Sequence, residues 1–385
     1  MNVSDEDIDR YNAWVFNRAI KWERFAPILV IYCFLIFIGA IGNLMVCVAV
    51  IRKPQMKTAR NVLIVNLAVS DIILCLITMP FSLIEIITKH WTLGSILCKT
   101  SGMLQAVSIF VSTTNITAIA VDRYKLIMYP TRNCISSSSA TATVVFIWVL
   151  SILMACPLFI FRNLKHNDIN LPGLKSVDSC WEDWPIEHGR AIYSVCTMVF
   201  QYLFPISALI IIHFRICNRL ENRLIQRLHN NSSRTSNYSA ASVARISRKR
   251  KTNQLLIAIA CIFAMTWLPL NILNLVSDFG AVFENRETFN IVFAICHMIG
   301  MTSACSNPIL YGWLNENFQK EFVDIFRWIT CKRSPVRCQV CLEHEGFAYP
   351  VCNRCANTQL SNLNPCRTTN ALSTEVIPTE IISAV

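Results

Sequence analysis

The sequence predicts an all-α membrane protein, a seven-transmembrane helical bundle with a short interfacial helix after span seven. Three features of the 385-residue chain carry that expectation. Hydrophobic residues make up 54% of it, with a mean hydropathy of +0.43. Seven apolar stretches occupy 27–51, 61–84, 100–121, 139–161, 191–214, 252–276 and 289–312, and charge is nearly absent from them. About 20 apolar residues in a helix cross a bilayer core while satisfying their own backbone hydrogen bonds. Asp71 is the one Asp, Glu, Lys or Arg within these limits. A carboxylate in hydrocarbon needs a cation, a cavity or polar partners, so Asp71 is a site candidate from the outset.

The elements follow in order. Residues 1–26 form an N-terminus that mixes acidic and basic groups without a separate apolar region, so span one is expected to act as its own insertion signal. Residues 27–314 form the seven-span domain, 315–330 an amphipathic interfacial helix and 331–385 a tail. Arg52, Lys53, Lys57 and Arg60 fall between spans one and two, Arg123, Lys125 and Arg132 between three and four, and ten basic residues in 215–251. The alternate gaps are acidic or mixed, with Asp168, Asp178, Glu182, Asp183 and Glu187 before span five and Asp278, Glu284 and Glu287 before span seven. The positive-inside bias therefore places the N-terminus outside and the C-terminus in the cytoplasm. The formal charge of +11 reads as attraction to anionic lipid headgroups and protein surfaces, and nucleic acid is not an expected partner.

Topology sorts the 18 cysteines and the glycosylation triplets. Cys98 and Cys180 both fall on the oxidising side, where their pairing would pin the loop before span five over the mouth of the bundle. Asn2 opens an Asn-Val-Ser triplet on the same side, whereas the triplet at Asn115 lies inside span three and those at Asn231 and Asn237 lie on the cytoplasmic side. Arg215, Arg219, Arg223 and Arg227 repeat every four residues along one side of an extended fifth helix, a face for a G protein, for headgroups or simply for solvent. A flexible Ser/Asn-rich piece is expected over 230–244. After span seven, Phe318, Phe322, Phe326 and Ile329 recur with helical spacing, and Cys331 follows as a palmitoylation candidate. In the tail, Cys338, Cys341, Cys352 and Cys355 form two Cys-x2-Cys pairs that could close around zinc, with Gly346 and Pro350 allowing reversal between them; acylated or accidental cysteines are the alternative.

One ordered set of residues resembles a known family. Gly42-Asn43 in span one, Asn66 to Asp71 in two, Cys98 and Asp122-Arg123-Tyr124 at the two ends of three, Trp148 in four, Pro205 in five, Phe263 with Trp267-Leu268-Pro269 in six and Asn307-Pro308-Ile309-Leu310-Tyr311 in seven are similar to rhodopsin-class G-protein-coupled receptors over roughly 25–330. A finer resemblance is to the neuropeptide Y and neuropeptide F receptor branch. It implies a peptide ligand ending in Arg-Phe-amide or Arg-Tyr-amide, a heterotrimeric G protein of the inhibitory class as partner, and a plasma-membrane location. The positions matching that branch's pocket are Gln105, Gln201, Asn274, Asp278 and His297.

The chemistry of these residues bears on that implication. Asp278 lies eleven residues after Trp267, about three helical turns further out, with nothing basic near it in sequence. A carboxylate there is either a bidentate acceptor for an arginine or a solvated group at a loop end. Gln105 offers both donors and an acceptor to a neutral amide, or else bonds a neighbouring helix. His297 is either a pocket residue or a packed histidine. For Asp71 the resemblance implies a sodium ion shared with Ser112 and Ser303; a protonated carboxyl in a polar network is the alternative. Trp267 before Pro269 implies a hinge in span six, with Arg123, Asn307, Pro308 and Tyr311 changing contacts as it moves. One position departs from the family: eight residues after Pro205, where a tyrosine usually reaches toward the span-seven tyrosine, this chain has His213. The expected activity is therefore signalling and not covalent catalysis, with no required cofactor. A weakly signalling receptor-like scaffold and a transporter are the competing classes.

Overall fold

The computed structural model describes residues 11–12, 14–129, 137–171, 174–230, 236–280, 283 and 285–330. Asn2, Cys331 and the four tail cysteines 338, 341, 352 and 355 lie outside the described residues. Among the described residues, seven helices are long and apolar enough to cross a membrane: spans one to seven run Trp22–Arg52, Ala59–Ile87, Gly94–Met128, Ser138–Phe161, Gly189–Gln226, Asn253–Phe279 and Arg286–Leu314. Each extends past its apolar stretch, because residues at the ends of a span no longer need to be apolar.

Two spans change helical pitch beside a proline. Span two widens into a π-turn at Leu74–Thr78 just before Pro80, and span five does so at Met198–Leu203 just before Pro205. Proline lacks an N–H and its ring collides with the carbonyl four residues back, so one extra residue in the preceding turn relieves the conflict. In span five that turn carries Gln201.

Polar side chains stitch the bundle together where lipid cannot solvate them. Asn43 donates to the carbonyls of Gly39 and Ala304, both at 2.9 Å, joining spans one and seven. A Cβ on the adjacent Gly42 would sit 2.6 Å from Pro308 Cγ, so only glycine allows this approach. Asn66 donates to Asn115 Oδ1 at 3.0 Å and accepts from Trp148 Nε1 at 2.8 Å, while Asn115 donates to the Leu63 carbonyl at 2.7 Å. Asn115 is wholly buried, which keeps its glycosylation triplet out of reach. Large apolar side chains that remain exposed, such as Phe146, Leu153, Phe204 and Phe214, lie on spans four and five and face outward, as lipid contact demands.

The segment between spans four and five departs from the expected loop. It forms an antiparallel hairpin, β1 (Arg162–Leu171) paired with β2 (Leu174–Glu182), in the register Leu164 to Cys180 and Lys165 to Ser179. In the sequence, Pro172-Gly173 falls between the two strands, a dipeptide that signals chain reversal. Cys98 and Cys180 form the expected disulfide, which ties β2 to span three, and the Trp91 N–H bonds the Asp178 carbonyl at 2.7 Å, which ties β2 to the turn between spans two and three.

The opposite end also differs from expectation in one place. The Ser/Asn-rich segment is not flexible throughout, since Ser236–Phe279 is one continuous helix running into span six. Its first part contains Ala240, Ala241 and Ala244 and no proline or glycine, so nothing interrupts propagation from the span. The helix after span seven, Glu316–Ile329, seats Phe318 and Ile325 against the bundle while Phe326 and Trp328 stay exposed. Lys53 anchors it through Glu321, with Asp324 at 3.8 Å.

Candidate functional site

A cavity of about 380 Å³ opens at the disulfide end of the bundle. Gln105, Gln201, Asn274 and Asp278 all line it, and Trp267 lies on its wall. Gln105 accepts a hydrogen bond from Ser82 at 3.0 Å, so it bonds a neighbouring helix and faces the cavity at once. Its amide nitrogen is left for another acceptor.

Asp278 is not the solvated loop-end group of one sequence reading. Its side chain is 2% exposed and Arg190 Nε lies 2.8 Å from Oδ1, a charge contact without hydrogen-bond alignment. Ser194 donates to Oδ2. Nothing basic stands near it in sequence, but the fold brings Arg190, from the start of span five, to the same carboxylate. Asp278 also has an internal cation that any arriving arginine must displace or share.

His297 belongs to the packing. It is fully buried, does not line the cavity, shares a hydrogen bond of 2.7 Å between Nδ1 and the Tyr32 hydroxyl, and stacks against Tyr32 and Phe293. Its place among the pocket residues is therefore withdrawn.

Residues that sequence reasoning passed over complete the wall. Arg162, at the start of β1, donates Nη1 to Ser101 at 3.1 Å and pairs through Nη2 with Glu85. A Cβ on Gly102 would come within 2.6 Å of Arg162 Nη1, so glycine makes room for the guanidinium against span three. Arg162 is 7% exposed overall and its Nε has no partner among the described residues. Arg286 and Glu182 add a further cation and anion to the lining. The cavity thus offers both signs of charge above a floor of amides and an indole.

Below the cavity, Trp267 donates Nε1 to Ser303 Oγ at 3.0 Å and packs 6.0 Å from the Phe263 ring. Asp71 accepts from Ser112 at 3.3 Å and from Asn307 Nδ2 at 2.8 Å. Ser303 is therefore engaged by the tryptophan in this structure, and Asn307 takes the place beside Asp71 that sequence reasoning had given to Ser303.

The pattern for the 7 transmembrane receptor (rhodopsin family) matches residues 42–311. The chain belongs to that family. Within it, the neuropeptide F receptor of Drosophila melanogaster is 46% identical over 325 residues, which is 83% of this chain and 65% of that receptor. The putative neuropeptide Y receptor 11 of Caenorhabditis elegans is 35% identical over 302 residues, 77% of this chain and 73% of that one. The neuropeptide Y receptor type 6 of Mus musculus is 30% identical over 312 residues, 79% of this chain and 81% of that one. These relatives place the chain in the neuropeptide Y and F receptor branch, as a multi-pass membrane protein.

At the far end of this rhodopsin-family bundle, Arg60 Nε donates to Asp122 Oδ2 at 3.3 Å, while the Arg123 Nε is buried without a partner among the described residues. Tyr124 packs beside Ile127, Ile216 and Leu220. His213 makes no hydrogen bond to Tyr311. Its Nδ1 bonds Asn253 Oδ1 at 3.1 Å, and both His213 Nε2 and the Tyr311 hydroxyl lack partners among the described residues although the two residues line one apolar void of about 10 Å³. In the described structure the departure from tyrosine thus ties span five to span six instead of span seven.

Proposed function

We propose that this chain is a plasma-membrane receptor, N-terminus outside and C-terminus in the cytoplasm, for a C-terminally amidated peptide ending in Arg-Phe or Arg-Tyr. Binding drives nucleotide exchange on a heterotrimeric G protein of the inhibitory class. The observation that carries the reading is the pairing, in one cavity, of a neutral amide acceptor and donor at Gln105 with a desolvated carboxylate at Asp278. An amidated terminus meets Gln105 without the desolvation cost of facing a charge, and the penultimate guanidinium matches Asp278.

The path inward is a set of contacts that movement of span six would exchange. Trp267 faces the ligand and holds Ser303, so a ligand pressing on the indole bears on span seven at the level of that bond. Pro269 loosens the helix just beyond it. Asp71 and Ser112 provide two oxygens suited to a sodium ion, which would supply the positive charge the buried carboxylate lacks; Ser303 Oγ keeps a lone pair for it while accepting from Trp267.

The test expresses the full chain in cells and measures G-protein activation by matched peptides with amidated and free-acid ends, with and without the penultimate arginine. Activation that needs both the amide and the arginine is the expected result. Potent agonists lacking both features would overturn the assignment of the cavity.

A further inference from the structure

Strand β2 ends in an acid that stands beside the contact between Asp278 and Arg190. That acid is Glu182, and the backbone N–H of the next residue, Asp183, donates to the Phe161 carbonyl at 2.7 Å, which fixes the strand's end to the end of span four. Trp184 Nε1 then donates back to Glu182 Oε2 at 3.1 Å. The indole is itself packed between aromatic neighbours, its ring centroid 4.7 Å from that of Phe161 and 5.3 Å from that of Tyr193. Glu182 is therefore a carboxylate whose place is set before any ligand arrives, on the wall of the cavity that Asp278 also lines.

Arg190 stands between the two acids. Its Nε is 2.8 Å from Asp278 Oδ1 and 3.7 Å from Glu182 Oε2, and among the described residues it is the one cation paired with either of them. The shorter contact is imperfect. Asp278 Oδ1 is buried and accepts no hydrogen bond among the described residues, so Arg190 gives it charge without the directed N–H that a carboxylate oxygen takes. The longer contact reaches an acid that is 22% exposed, against 2% for Asp278. Two anions thus share one cation, and a second guanidinium would give each acid its own.

We infer that Glu182 is a specificity-determining residue, which receives Arg190 when the ligand's arginine takes Asp278. The inference rests on the Asp278 reading above. The incoming guanidinium makes the hydrogen bond that Oδ1 lacks, and Arg190 closes on Glu182 instead of being left in the cavity without an anion. The movement needed is about 1 Å, the excess over an ordinary charged N–H···O distance. Without Glu182, displacement would strand one cation beside another, and like charges repel. A neutral ligand group can donate to Oδ1 but cannot replace the charge that Arg190 would carry away, so it leaves Arg190 where it is. Glu182 therefore acts for a cationic ligand and not for its neutral isostere.

Equilibrium binding to the full-length receptor in membranes tests this with two amidated peptides, identical except for arginine or its neutral isostere citrulline next to the terminal phenylalanine. The receptors are the parent, Glu182→Gln, Arg190→Gln and the double variant. Both affinities are measured on the same receptor population, so their ratio is independent of how much of each variant reaches the membrane. Glu182→Gln should cut the preference for arginine over citrulline about 3- to 10-fold, the scale of one partly screened ion pair. In the Arg190→Gln background, where no displaced cation has to be received, the same substitution should change the preference much less. An equal fall in both backgrounds would make Glu182 a direct partner of the ligand's arginine and overturn the exchange of partners, as would an unchanged preference in Glu182→Gln. A parent that binds the arginine and citrulline peptides equally would overturn the Asp278 reading itself, and the role of Glu182 with it.

Discussion

Arg190→Gln should raise the affinity for an arginine-ended peptide. In the structure Asp278 is 2% exposed and Arg190 54%, so the internal pair joins a desolvated anion to a half-solvated cation. Solvent screening of the arginine limits the pair to about 1–2 kcal/mol, between the values for exposed and buried pairs. If a ligand arginine must displace that partner, removing it raises apparent affinity by about 5- to 30-fold. Asp278→Ala alone should cost about 0–3 kcal/mol, because the ligand's contact of about 2–4 kcal/mol is offset by the internal contact it replaces. The same change in the Arg190→Gln background should cost the whole ligand contact, making the two substitutions non-additive. Equilibrium binding of one labelled peptide to all four receptors, normalised to surface expression, gives the cycle. Unchanged or weaker binding to Arg190→Gln would refute the displacement argument and make Arg190 itself a ligand contact.

Four further outcomes are expected. His213→Tyr should increase agonist-driven nucleotide exchange, since a phenol there can reach toward the unpartnered Tyr311 hydroxyl; a fall in exchange would make histidine a specialised alternative. Asp71→Asn should abolish the inhibition of agonist binding by sodium at fixed ionic strength, and equal sensitivity in the variant would remove the ion site. Glu321, with Asp324 assisting, holds Lys53 above the ordinary lysine range, so the stabilisation is complete below that range and is lost as pH rises through the raised value; at neutral pH Glu321→Gln should therefore speed amide exchange across 316–329. Gly42→Val should lower thermal stability by about 1–3 kcal/mol, read on purified protein, because its added carbons meet Pro308.

The bundle was legible because each span carries about 20 apolar residues and the landmarks stand in order. The lone carboxylate inside the apolar stretches, Asp71, likewise announced itself, and Ser112, named beside it for a sodium ion, donates to it. What escaped was side-chain choice among near-equivalent partners. Both Ser303 and Asn307 can serve a buried carboxylate; in the structure Asn307 donates to Asp71 while Ser303 accepts from Trp267. His297 shows the same ambiguity: a histidine at the cavity level of span seven can face ligand or packing, and Tyr32, on a helix distant in sequence, captures its Nδ1. The hairpin was missed because its strands are polar, held by the disulfide and by pairing with each other more than by an apolar face.

Three of the cavity's charges, Glu85, Arg162 and Arg190, were hidden by their place at the ends of the apolar runs. A search for apolar runs stops where charge begins, and Glu85, Arg162 and Arg190 each lie one residue beyond a predicted limit, with Asp278 two beyond another. Those are the positions where a helix leaves hydrocarbon while its side chains still turn toward the bundle axis. In a receptor that binds peptide at one mouth, charge placed there escapes the desolvation cost of the bilayer yet remains buried enough to act through a low dielectric. The three groups pair among themselves and with Asp278, Arg162 with Glu85 and Arg190 with Asp278, so the mouth is internally neutralised on both sides. A cationic ligand then competes for a carboxylate instead of meeting a bare one. Affinity is lower than an unpaired acid would give, but a ligand that lacks the matching charge gains nothing by entering, which turns the internal pairs into a filter for chemistry at the peptide's end.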